Sequence, residues 1–186
     1  MVVWSSDSFR MKEVYKALHP NKNQMSWKEL MFGNLARPRA IFQLWIACHT
    51  RLPTRSRLMK WGLIDHNKCS FCDAVETQQH LLFDCSLMKN AWKKVLNWIN
   101  IQHEPLNWDR ELEWIVLNCR GKSKRAAMLK LAITECIYEV WRYRNEKSFD
   151  TNTKDRNIEE RVIEMIVYRG WHNSKMRDYV AQLMVQ

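Results

Sequence analysis

The chain has 186 residues, of which 46% are hydrophobic and ten are tryptophan, enough to build a core and too apolar for a disordered tail. Only four glycines and four prolines interrupt it, so few turns and a mostly α fold are expected. Thirty lysines and arginines against twenty acids give a formal charge of +10, which suits RNA or DNA because each phosphate contact releases counterions. No apolar run approaches the ~20 residues of a membrane span. Residues 1–7 lack the basic and apolar stretches of a signal peptide. The expectation is an intracellular protein without a membrane partner, in which six cysteines point to metal or core packing before disulfides.

In chain order, Met11, Val14, Tyr15 and Leu18 recur at helical spacing and stop before Pro20. A short segment from Ser26 places Trp27, Leu30 and Met31 on one side. Pro38 opens a stronger helix with Ile41, Leu44, Trp45 and Cys48 in a stripe. Thr54 can cap a short helix that Gly62 closes in the left-handed conformation. Residues 63–85 lose the period. It returns from Ser86 with Met88, Ala91, Trp92, Val95, Leu96 and Ile99. After Pro105 and Asn107 a helix from Asp109 carries Leu112, Ile115 and Val116, and Gly121 ends it. A long helix is predicted from about Ser123 to Phe149, burying Leu129, Ile133, Cys136, Ile137, Val140 and Trp141. Residues 151–153 read as a polar turn, and one last helix carries Ile158, Val162, Met165 and Ile166, with Tyr179 beyond.

The aperiodic stretch holds the chemistry. Cys69, Cys72, His80 and Cys85 follow the pattern C-x2-C-x7-H-x4-C. Two thiolates from a tight turn and two donors from the next segment can complete a tetrahedron around Zn2+. Four protein donors leave no position for a reacting water, so the site reads as structural rather than catalytic. Lys68 and the helix that starts at Ser86 both favour thiolates. Leu81, Leu82 and Phe83 can fix the knuckle to the core. Glu76 is a candidate acceptor for the His80 ring, and His66 a competing ligand. Cys48, Cys119 and Cys136 read as core residues.

A wider pattern surrounds the cluster. Trp27, Phe32, Arg37-Pro38-Arg39, Phe42, Trp45, then Arg51-Leu52-Pro53-Thr54-Arg55-Ser56-Arg57-Leu58 and Trp61-Gly62, precede it. Glu76-Thr77, His80 through Cys85 and Trp92 continue it, with Val140 through Asn145 and Phe149 downstream. Together these resemble the zinc-binding domain found after the polymerase in plant LINE-type (non-LTR) retrotransposon reverse transcriptases. Ser56 stands where that family usually has aspartate, and Phe32 where tryptophan is common. The resemblance implies a parent polyprotein with polymerase and endonuclease domains, and a nuclear location. Polymerase activity is not expected of this chain, which has no Asp-Asp pair for two metal ions.

The expected organisation is an N-terminal helical segment (1–24), a helical domain around a CCHC zinc knuckle (25–104) and a C-terminal helical extension (105–186). Candidate nucleic-acid contacts are Arg51, Arg55, Arg57 and Lys60 before the knuckle, and Lys89 and Lys93 (with Lys94) after it. The head of the helix after Thr54 offers amides to phosphate, and Trp61 or Phe71 could stack on bases. Three functions compete: a zinc-stabilised nucleic-acid-binding module, a protein–protein interaction module stapled by the same zinc, and a non-functional retrotransposon remnant.

Overall fold

A computed structural model describes residues 26–149 and 157–185. The segment of Met11, Val14, Tyr15 and Leu18, and the polar turn at 151–153, lie outside the described residues. The described residues are mostly helical and contain no strand. A 3-10 turn, Ser26–Leu30, leads to α1 (Pro38–Cys48) and α2 (Arg55–Lys60). One π-helical turn, His80–Asp84, runs into α3 (Ser86–Trp98), followed by α4 (Trp108–Asn118) and α5 (Lys124–Phe149). Helices α6 (Ile158–Trp171) and α7 (Arg177–Met184) complete the order.

The boundaries have local causes. Pro38 occupies the first turn of α1, where its missing N–H costs nothing. The side chains of Asn107 and Asn157 accept from the amides of Arg110 and Glu160, capping α4 and α6. Ser123 Oγ does the same for the Ala126 amide at the head of α5. Gly62, at φ +70°, ends α2 as expected, a conformation that a side chain would strain.

Helix α5 is the axis, packed on by α1, α3, α4 and α6. The expected stripe of Leu129, Ile133, Cys136, Ile137 and Val140 is buried, while Trp141 is only half-buried. Met128, Leu131 and Ala132 are buried on other sides of the helix, and four buried residues along it are polar: Thr134, Glu135, Glu139 and Arg144. Burial is tolerated because each has a partner. Asn34 Nδ2 donates to Thr134 Oγ1 at 2.7 Å. Arg37 Nη2 reaches Glu135 Oε2 at 2.5 Å and Glu139 Oε1 at 2.8 Å, and the Arg37 amide donates to Glu135 Oε1 at 3.0 Å. Burial works against the Arg37 charge, yet the two carboxylates outweigh it and raise its pKa.

The predicted single C-terminal helix is two. α6 stops at Trp171, Asn173 Oδ1 accepts from the Lys175 amide in the turn, and α7 folds back onto α6. The return depends on Gly170, where a Cβ would stand 2.3 Å from Val180 Cγ2. A second polar tie joins α3 to α4: Trp92 Nε1 donates to buried Glu111 at 2.7 Å, and His103 and the Leu106 amide both meet the same carboxylate at 2.8 Å. One buried cluster runs from Leu30 through Trp92 and Ile137 to Leu183, so residues on both sides of position 104 share it.

Candidate metal centre and the surface beside it

The knuckle is a short antiparallel turn. Lys68 and Val75 pair as an isolated bridge, the Cys69 amide donates to Ala74 O at 2.8 Å, and the Glu76 amide to Asn67 O at 2.7 Å. This turn presents Cys69 and Cys72. The other two donors come from the π-helical turn, where the Cys85 amide donates to His80 O at 2.7 Å. In an α-helix, residues five apart point about 140° away from each other. The wider ring helps bring His80 and Cys85 to one side, and such turns often mark functional sites. Thr77 Oγ1 accepts from the His80 amide at 3.0 Å and fixes the start of the turn. Leu81, Leu82 and Phe83 are fully buried behind it, as expected.

The four donor atoms of Cys69, Cys72, His80 and Cys85 all lie within 4.8 Å of one another, with Cys72 Sγ 3.2 Å from His80 Nε2. These separations bracket the edge of about 3.7 Å of a tetrahedron with zinc–sulfur bonds of 2.3 Å. Cys69 and Cys85 are buried, and Cys72 is exposed. Without a cation the thiols compete for one proton. The hydrogen bond from Cys85 pulls Cys69 down to about 5 against its burial, helped by the Phe71 amide, which donates to Cys69 Sγ at 3.4 Å. Cys85 moves the other way, because of that same hydrogen bond, its burial and the neighbouring thiolates. Three sulfurs and one imidazole crowded to this degree form a cluster that could bind zinc. Lys68 is not among the main causes of the Cys69 shift; its Nζ lies 3.9 Å from Asp73. His66 is exposed and is not among the four.

Glu76 is not the acceptor for His80 that the sequence suggested. Its Oε1 accepts from Arg144 Nε at 3.0 Å, Arg144 Nη2 at 2.6 Å and the Arg55 amide at 2.8 Å, and its main-chain oxygen accepts from the Ser56 amide. The head of α2, expected to offer amides to phosphate, is thus occupied by Glu76. Gln78, also buried, donates to Ala47 O at 2.8 Å and accepts from the Leu52 amide at 3.3 Å, which pins the loop after α1 to the knuckle. Ser148 Oγ sits 3.2 Å from Ser70 Oγ, and Phe71 stacks on Tyr143 at 5.1 Å. The knuckle is therefore bolted to the far end of α5. Sequence reading missed Gln78 and Ser148 altogether. The run Val140 through Asn145 did signal Arg144, but not its partner.

The candidate basic contacts divide into two groups. Arg55 is engaged internally, donating to Lys68 O at 3.0 Å and Ser148 Oγ at 3.3 Å. Lys93 pairs with Glu104 at 2.7 Å, Lys94 pairs with Glu159, and Lys89 is exposed close to Glu104. Arg142 lies between Glu139 and Glu146. Arg51, Arg57 and Lys60 have no acidic partner among the described residues. Of the two aromatic candidates, Phe71 is used by Tyr143, whereas Trp61 is 59% exposed.

Residues 9–92 match the model of the family described as zinc-binding in reverse transcriptase. No curated protein and no solved structure matches the chain. The matched residues include all four donors, the Glu76 and Gln78 braces and the α2 surface. With its donors gathered into one closed cluster, this segment is similar to the zinc-binding domains of reverse transcriptase.

Proposed function

We propose that the chain is a zinc-stabilised nucleic-acid-binding module, akin to the accessory domain of plant LINE-type reverse transcriptases and without catalytic activity of its own. The zinc is structural: Cys69, Cys72, His80 and Cys85 use all four positions, and bound metal would add about 10–16 kcal/mol to folding. The observation that carries nucleic-acid binding is the charge of Arg51, Arg57 and Lys60 beside the knuckle, which meets no acid among the described residues, in a chain of formal charge +10. RNA and DNA both satisfy it, and a nuclear location agrees with it.

The test is affinity for RNA and DNA oligonucleotides across a salt series. A fall of about tenfold or more between 50 and 200 mM salt is expected, because several counterions are released. Absence of binding at low salt contradicts the proposal. A specific observation favours protein interaction as the second reading: Met31, Pro38, Ile41, Phe42 and Trp45 line an open apolar cleft of about 380 Å3 on α1. Salt-insensitive capture of a protein partner by that cleft would support it.

A further inference from the structure

We infer that Trp61 and Arg57 form a stacking platform for unpaired nucleobases, so that the module takes single-stranded rather than duplex nucleic acid. The inference rests on the nucleic-acid reading above and deepens it. Trp61 follows α2 directly, and its amide is held by Arg57 O and Leu58 O at 3.1 Å. Gly62 then turns the chain away at φ +70°, with nothing within 4 Å of its α-carbon's open side. The ring is consequently 59% exposed while its backbone is fixed. The other large exposed side chains around it, Met59 and Leu63, are aliphatic and flank it.

The Arg57 guanidinium lies 5.7 Å from the Trp61 ring centre. An arginine so placed both limits the ring's rotamers and sets a positive charge beside the position a stacked base would take. Neither Arg57 nor Lys60 is neutralised by an acid among the described residues. Residues 51–68 hold five basic residues against one acid, Asp65. An aromatic face next to unspent cations fits a base joined to a phosphate. In a duplex the base faces are covered by their neighbours, so only an unpaired strand can use the ring.

The experiment uses the full, zinc-loaded chain and an unstructured oligonucleotide of about twelve residues, both alone and annealed to its complement. Fluorescence anisotropy is measured for the wild type, Trp61→Ala and Trp61→Phe, with circular dichroism and zinc content as controls on folding. The single strand is expected to bind more tightly than the duplex. Trp61→Ala should weaken it about 5- to 100-fold, and Trp61→Phe should stay near wild type. Equal affinity for single strand and duplex, or an unchanged Trp61→Ala, overturns the platform while leaving nucleic-acid binding in place. The exposed face would then belong to a protein partner. If no nucleic acid binds the wild type, the underlying reading fails and the platform with it.

Discussion

Arg144, near the end of the longest helix, closes on Glu76 in the metal knuckle with two hydrogen bonds to one carboxylate oxygen, at 3.0 and 2.6 Å. Both side chains are buried, 3% and 0% exposed. The same Glu76 oxygen takes the Arg55 amide, so one carboxylate orients α2, the knuckle and α5 together. Such a pair adds little over a well-packed apolar substitute, but breaking it leaves a buried charge.

Glu76→Ala should therefore cost about 3–5 kcal/mol in urea unfolding of the zinc-loaded protein. Arg144→Met should cost a similar amount, because it leaves the fully buried Glu76 carboxylate with the Arg55 amide and without its counter-charge. Equal and small losses, under about 1 kcal/mol, would show that the pair does not hold the knuckle.

Gly170→Ala tests the α6–α7 return. Alanine is the better helix former by about 1 kcal/mol, but its methyl would meet Val180 Cγ2 at 2.3 Å. The clash should win, with a net loss of about 1–2 kcal/mol in thermal or urea unfolding. The double variant Gly170→Ala, Val180→Ala should recover part of it.

Two buried thiols, Cys119 and Cys136, and the half-buried Cys48 make stability fall at high pH. Burial pushes Cys48 and Cys119 up to about 12, and Cys136 is raised too, by its burial and then by Glu159 and Glu139. In the unfolded chain these groups ionise from about pH 8.5, so above that pH the unfolded state holds fewer protons. Their contribution is complete below this pH and declines as pH rises through the folded values, by up to about 1.4 kcal/mol per thiol per pH unit. Unfolding measured between pH 8 and 10.5 should show this slope, and the triple Cys48→Ala, Cys119→Ala, Cys136→Ala variant should flatten it.

A chain ending at residue 104 should not fold. It would lack Glu135 and Glu139 for Arg37, Thr134 for Asn34, Arg144 for Glu76, and the Arg169 guanidinium that donates to Leu35 O at 2.8 Å. Circular dichroism should show most helical signal lost, even with zinc present. A cooperative melt from that fragment would mean that the segment around the knuckle folds by itself.

The contrast between these features shows what the sequence exposes. The donor quartet was legible because metal binding demands particular residue types at short spacings. Helices α1, α3 and α4 were legible because each has one apolar face and a marked start or end. Helix α5 was half-read, because Glu135, Glu139 and Arg144 look like solvated charges until their partners are known. Glu76 and Arg144 stand 68 residues apart, and such a pairing leaves no local pattern. The break between α6 and α7 was hidden since its cause, the contact of Gly170 with Val180, also appears only in the folded chain.

The metal centre is tested most directly by mass spectrometry of the purified chain under native and denaturing conditions, beside Cys72→Ser. Cys72 is exposed, so its substitution removes a donor without opening the core. One zinc per chain is predicted in the wild type, absent or weakly held in the variant together with a loss of helical signal. A wild-type chain that melts cooperatively and carries no metal would contradict the assignment.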